Sequence, residues 1–374
     1  MTGTGSQEGR RRFLAAGVAG GTFALAGTAP RQRLLAAPRQ PVEAPVDVCF
    51  VYVSPIGNGG WTYQHELGRL ALDKALPGQV RSRYVEKIPE GPDADRVIRD
   101  LATQGCKLTF ATSFGYMDSV IRVARAFPDQ AFEHASGYKM ADNVSVYNAR
   151  FYEGRYLAGL IAGQMCRSHI IGYVAAMPIP EVLQGINAFT IGARSIDPRI
   201  HVRVIWTNAW YDPGREREAA LTLIDQKADL VTHHTDSPTV VQAVEERGVQ
   251  SIGYHSNMSR FAPKHHLVSV THHWGDYYTA RVKALLAGNW TVGNRMGGIA
   301  TGSVRLEAIS PKVPQQTQQL VARRTREIAE GKRHPFIGPV VSSDGRTRIA
   351  AEAILDDDAL GKMDWLVEGV VGKI

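Results

Sequence analysis

The chain has 374 residues, 44% of them apolar and 21% charged. That is enough chain for two ordinary domains with filled cores, and the composition excludes intrinsic disorder as the main state. The formal net charge of +7 is concentrated at the amino end, where residues 1–37 carry five arginines and one glutamate. The remainder keeps a small positive balance with no basic run, which argues against nucleic acid as a partner.

Arg10-Arg11-Arg12-Phe13-Leu14-Ala15 fits the pattern that directs export by the twin-arginine route. The uncharged stretch of Gly and Ala that follows is too short and too weakly apolar for a membrane anchor. Residues 1–37 are therefore expected to be a signal peptide, residues 38–45 a Pro-rich linker, and the rest a periplasmic protein. No cysteine ends the signal, so a lipid anchor is not expected.

From residue 46 the chain alternates short apolar runs with helix-length amphipathic ones. Strands are expected at 46–53, 80–85, 108–111 and 131–134, with helices at 63–76, 94–104 and 118–127 between them. Such alternation predicts a parallel sheet covered by helices on both faces. The pattern then restarts, with helices at 151–165, 182–195, 214–226 and 240–247 and strands at 170–175, 201–207 and 230–233. Asp212-Pro213 and Ser237-Pro238 each set a capping side chain before a proline at a helix start. Further strands are expected at 251–253, 267–271 and 304–309, and helices at 277–287 and 316–330. A hairpin about Asp344-Gly345 and a short helix near 357–362 close the chain. Two runs of βα units imply two doubly wound lobes, whose ligands bind beyond the carboxyl ends of the strands.

Enzyme signatures are poor. There is no phosphate-binding loop of the Gly-x-x-x-x-Gly-Lys type and no Gly-x-Ser-x-Gly elbow. The run Ile56-Gly57-Asn58-Gly59-Gly60 follows the first strand but lacks the third glycine that a dinucleotide site needs. Three cysteines, Cys49, Cys106 and Cys166, show no metal-ligand spacing; Cys49 reads as a buried thiol, with one disulfide permitted in an oxidising compartment. The histidine pairs 233/234, 265/266 and 272/273 fall on strands, where neighbours point to opposite faces, so a metal site is not expected, nor any cofactor.

Aromatic residues at strand ends are the stronger signal. Trp61, Phe114, Trp210 and Trp274 fall in polar, Gly-containing loops or at helix starts after strands of both halves. Two rings facing one another there would sandwich a planar ligand. Glu181, Asp236 and His255, which also follow strands, are the candidates to read that ligand's polar edge.

These residues carry a resemblance. Gly60-Trp61-Thr62-Tyr63-Gln64-His65, Ser113-Phe114-Gly115-Tyr116-Met117-Asp118, Asn148-Ala149-Arg150-Phe151-Tyr152-Glu153-Gly154-Arg155-Tyr156, Pro180-Glu181-Val182-Leu183-Gln184-Gly185-Ile186-Asn187 and Trp210-Tyr211-Asp212-Pro213-Gly214 resemble the basic-membrane-protein family of ABC-transporter solute-binding proteins. The resemblance runs from about Val46 to Pro339. It implies the type I periplasmic-binding fold, an α/β architecture of two Rossmann-like lobes joined by a hinge of several crossings. The lobes are expected at 46–149 plus 268–305 and at 150–267 plus 306–374, with the segment 148–150 near the first crossing. The resemblance further implies a purine ligand held between Trp61 and Trp210 and an ABC permease as partner. The family's nucleoside binders clamp the ribose with an aspartate and a lysine; the corresponding stretches here, 253–257 and 269–273, keep neither. A free base such as adenine is therefore expected. The alternatives are a nucleoside or another planar heterocycle, and a periplasmic enzyme that processes nucleosides.

Overall fold

The computed structural model describes residues 43–374, so the expected signal peptide and most of the linker lie outside the described residues. In chain order the first half builds β1 (Val46–Val51), α1 (Trp61–Ala75), β2 (Val80–Val85), α2 (Pro92–Thr103), β3 (Leu108–Ala111), α3 (Met117–Ala126), β4 (Ala131–Ala135) and β5 (Val144–Ala149). The second half continues with α4 (Phe151–Met165), β6 (Ile170–Ala175), α5 (Pro180–Ile196), β7 (His201–Trp206), α6 (Pro213–Asp225), β8 (Leu230–His234), α7 (Thr239–Glu246), β9 (Gln250–His255) and β10 (His266–His272). It closes with α8 (Gly275–Leu286), β11 (Asn294–Gly297), β12 (Val304–Glu307), α9 (Gln315–Ala329), β13 (Val340–Val341), β14 (Thr347–Ile349), α10 (Asp357–Leu360) and β15 (Val370–Val371).

Two parallel sheets result. The first runs in the order β11-β5-β4-β3-β1-β2, and the second β12-β10-β9-β8-β6-β7-β15, in which β12 alone is antiparallel to its neighbour. The strands that pack on both faces are nearly continuous apolar runs, as fully covered parallel strands must be. Every residue of β3, β4, β8 and β10 is buried. Among the described residues no helix is long and apolar enough to cross a membrane.

The chain crosses between lobes three times. It leaves β5 at Ala149 and enters α4, which lies tightly against α5: a Cβ on Gly159 would sit 2.2 Å from the Phe189 carbonyl oxygen, and one on Gly192 2.2 Å from that of Tyr156. After β10 it returns to pack α8 on α1 and to pair β11 with β5, then crosses again to β12. The expected lobe boundaries at 268 and 305 are corrected by this pairing. β10 lies between β9 and β12 in the second sheet, so the return begins after His272, and the last crossing falls between Gly297 and Val304. An apolar strand satisfies either sheet locally; which sheet it joins depends on partners distant in sequence.

Cys49 is also corrected. It forms a disulfide with Cys106, with the Cα atoms 6.0 Å apart. The register of β1 against β3 pairs Val48 with Leu108, which brings the residue two before Leu108 beside the strand. Cys166 remains a free, buried thiol and donates to Asp229 Oδ1 at 3.1 Å.

Candidate functional site

The carboxyl ends of both sheets border one narrow cavity, with about 30 Å³ of free space. The first lobe contributes Val53, Trp61, Ser113, Phe114 and Ser136, and the second Ile179, Glu181, Trp210, His234, Asp236 and His255. Each ends or follows a strand, or opens the helix after one. Six of the seven residues singled out in the sequence therefore meet around a single space. Trp274 does not. It is buried behind Trp61, 6.2 Å away, and stacks on His65 with ring centroids 5.1 Å apart and planes 5° from parallel.

Both indoles of the cavity are held by their N–H groups. Trp61 Nε1 donates to the Thr112 carbonyl at 2.7 Å, and Trp210 Nε1 donates to Glu90 Oε1 at 3.1 Å. Behind Trp61 pack His65, His272 and Phe151, at 4.5, 4.9 and 5.9 Å between centroids. With the ring nitrogens committed, the two indoles offer the cavity ring surface. Trp210 and Val53 also border an open outer recess of about 760 Å³, so the Trp210 ring stands between the inner space and the outer one.

Glu90 was not anticipated. Its Oε1 accepts from Ser113 Oγ at 2.6 Å and from the Gly115 amide at 2.8 Å, as well as from Trp210 across the lobes. It lies in the loop before α2 outside any motif, and only the fold places it beside the other lobe.

Glu181 opens α5, and its Oε2 accepts from Ser136 Oγ at 2.7 Å and from Asn148 Nδ2 at 2.9 Å. Oε1 has His234 Nε2 3.9 Å away, beyond hydrogen-bond reach. Burial raises the Glu181 carboxyl above the ordinary carboxylate range, and the two donors oppose that. Gln184, one turn on, points elsewhere and donates to the Leu360 carbonyl at 2.8 Å.

Asp236 has a different partner from the one the sequence suggested. Its carboxylate accepts from the Thr62 amide at 3.0 Å and the Thr62 hydroxyl at 2.7 Å, so it caps α1 from the opposite lobe. Gly60, whose own position supplies no capping side chain, permits the approach: a Cβ there would lie 2.4 Å from Asp236 Oδ1. The Gly60 amide in turn donates to Ser256 Oγ at 3.0 Å. Burial pushes the Asp236 carboxyl up to about 7, against the pull of the Thr62 donors.

His255 and His234 form the remaining wall, with ring centroids 5.1 Å apart. His255 Nδ1 lies 3.2 Å from His272 Nε2. Burial drives all three imidazoles well below their ordinary value, so they are neutral at physiological pH. His255 (φ 67°) and Ser136 (φ 60°) both take left-handed backbone, a costly conformation for residues with a Cβ and one that collects at binding sites. Ser136 carried no sequence signal beyond following a strand, and His234 carried one only as a member of an adjacent histidine pair. Among the described residues no group of three or more His, Cys, Asp or Glu side chains is arranged to hold a metal ion.

A family profile described as ABC transporter substrate-binding protein PnrA-like matches residues 46–334. A purine-binding protein of Brucella abortus, BAB2_0673, is 45% identical over 89% of this chain and 95% of its own. A Haloferax volcanii protein, TsgA13, whose name assigns it to glucose binding in an ABC transporter, is 36% identical over 88% of this chain and 81% of its own. Among solved structures, an ABC-transporter solute-binding protein from Aeropyrum pernix K1 superposes with a TM-score of 0.67 at 17% identity, covering 85% of this chain and 96% of that one. At that identity the likeness speaks for the fold, the periplasmic-binding architecture that the family resemblance implies and with which the doubled βα pattern agrees.

Proposed function

We propose that this chain, which belongs to the family of PnrA-like ABC transporter substrate-binding proteins, captures a free purine base between its lobes and presents it to an ABC permease. The observation that carries the reading is the pair Trp61 and Trp210. One comes from each lobe, both border the same cavity, and both have their N–H groups already bonded to protein. A flat aromatic ligand uses such surfaces; stacking adds roughly 0.5–1.5 kcal/mol per ring pair beyond area burial. The purine-binding name of the Brucella relative supports the same class.

A sugar fits the polar inventory less well. Asp236, Ser113 and Ser136 spend their hydrogen bonds on protein partners, which leaves Glu181 Oε1 and the histidine edges for the ligand. Several hydroxyls would then be buried without partners, at a cost of about 1–3 kcal/mol each. A purine needs only a few edge contacts.

Function follows from closure. A base that touches both lobes stabilises the closed arrangement, and the permease reads that arrangement. Substrate-binding proteins of ABC importers act outside the cytoplasmic membrane. The twin-arginine pattern supports that export route here, and replacing Arg10 and Arg11 with lysine should leave the protein in the cytoplasm.

The test is calorimetric titration of ligand-stripped protein with adenine, adenosine and glucose, alongside mass spectrometry of whatever denaturation releases. Adenine should bind with one-to-one stoichiometry and no product should form. Tighter binding of adenosine would sink the free-base assignment, and glucose binding without any response to bases would sink the purine one.

A further inference from the structure

The two indoles of the cavity are tied to one short segment of the first lobe. Trp61 Nε1 donates to the carbonyl of Thr112, just past β3. The next residue, Ser113, donates its hydroxyl to Glu90 Oε1 at 2.6 Å, and the Gly115 amide donates to the same oxygen at 2.8 Å. That oxygen also accepts from Trp210 Nε1 at 3.1 Å. Residues 112–115 therefore hold one ring directly and the other through the Glu90 carboxylate. On its own lobe Trp210 is fixed through its main chain, whose carbonyl accepts from the Asp236 amide at 2.8 Å. The edge of its ring is fixed by the opposite lobe, so the protein's own bonds set the gap between the two rings.

Strand order places this bond far from the crossings. The chain passes between lobes at β5, β10, β11 and β12, which lie at one end of their sheets. Glu90 follows β2 and Trp210 follows β7, four strands away from β5 and β10 respectively. At ~4.8 Å per strand that is about 20 Å from the hinge, where about 10° of lobe rotation parts two atoms by about 3 Å. A hydrogen bond of 3.1 Å does not survive such a displacement. Glu181 also bridges the lobes, but to Asn148 of β5 and to Ser136 just past β4, where the same rotation moves atoms least. Opening therefore breaks the Glu90–Trp210 bond early. The Trp210 ring then leaves its place between the inner space and the outer recess, which Glu90 also borders.

We infer that Glu90 is a positioning residue that latches the Trp210 ring over the bound ligand and so sets how long the ligand stays. The inference rests on the reading that a ligand is held between Trp61 and Trp210. Hydrogen bonds to a carboxylate are among the stronger ones a protein makes. This one forms only as the lobes meet, so it slows release and leaves the encounter of ligand with the open cleft unchanged.

The test uses the mature protein and adenine, with glucose in its place should bases not bind; failure of the purine reading then leaves the latch testable. Stopped-flow tryptophan fluorescence gives the association and dissociation rates. Glu90→Ala should raise the dissociation rate about fivefold and change the association rate by less than about twofold. Glu90→Gln should restore most of the wild-type rate, because the three donors around Oε1 select the amide oxygen for that position. In a Trp210→Phe background, which has no N–H to lose, Glu90→Ala should change dissociation by less than about twofold. A carboxylate that only supports the loop would act equally in both backgrounds. Should Glu90→Ala not fold, Ser113→Ala removes one donor that fixes the carboxylate and should raise dissociation about twofold. A dissociation rate unchanged in these variants, or raised equally with and without the Trp210 N–H, would overturn the assignment.

Discussion

Asp236, just past β8 in the second lobe, caps the helix that begins at Trp61 in the first, accepting from the Thr62 amide at 3.0 Å and the Thr62 hydroxyl at 2.7 Å. The helix start that presents Trp61 to the ligand is thus completed only when the lobes are together. Asp236→Ala should weaken ligand binding about tenfold, near the 1.4 kcal/mol that a lost cap can cost. Gly60→Ala should do at least as much, since its Cβ would meet the carboxylate at 2.4 Å. Titration calorimetry paired with solution scattering checks both: affinity should fall, and the ligand should compact the variants less than the wild type.

The same carboxyl sets a pH dependence. Its value rises from 3.8 to about 7 on folding, so between those limits the folded protein holds a proton that the unfolded chain releases. The contribution of Asp236 to stability therefore falls as pH rises through that window and levels off above it. Asp236→Asn keeps an acceptor for Thr62 and removes the titration. Its melting temperature should lose this downward component between pH 4 and about 7, measured by thermal melts against wild type in matched buffers.

Removing a ring tests the stacking surfaces. Trp61→Ala or Trp210→Ala should lower affinity for a base by more than about tenfold, whereas Trp→Phe at either position should retain much of it. Ligand-induced change in tryptophan fluorescence should shrink in each variant. Unchanged affinity in both alanine variants would remove the sandwich.

Glu181 offers the cavity one oxygen while its other is held by Ser136 and Asn148. In Glu181→Gln the amide oxygen can keep those two donors, which turns the amide nitrogen toward the ligand. A ligand N–H facing that point then meets a donor in place of an acceptor. Affinity should fall by about tenfold or more, with melting temperature little changed, because the structural contacts survive. Isothermal titration distinguishes this from unfolding.

The disulfide gives a count. Denatured, unreduced protein should show one reactive thiol, Cys166, and three after reduction. The bridge spans 57 positions of sequence, and Cys106→Ser should cost about 2–4 kcal/mol of stability. Three thiols in protein purified from an oxidising compartment would contradict the pairing.

Much of the fold was legible because periodicity is local. The helix at 151–165 and the strands at 80–85, 108–111 and 170–175 fall where the apolar pattern set them, and Asp212 caps α6 through the Arg215 amide at 3.0 Å. β5, β11 and β15 were not anticipated. β11 and β15 are short edge strands whose residues, such as Asn294 and Arg295, read as loop and become strand only by pairing with β5 and β7.

The site divides in the same way. Sequence alone determined that the chain holds two runs of βα units and that aromatic and acidic residues follow their strands, since strand ends and composition are properties of short stretches. It also singled out six of the residues that border the cavity. Tertiary structure decided what each of them does. Trp274 turned inward to support Trp61, and Asp236 spent its carboxylate on Thr62 across the cleft. Glu90 joined the site unannounced. A side chain's partners 100 or more positions away are fixed by how the two sheets meet, and no local pattern in the chain records that meeting.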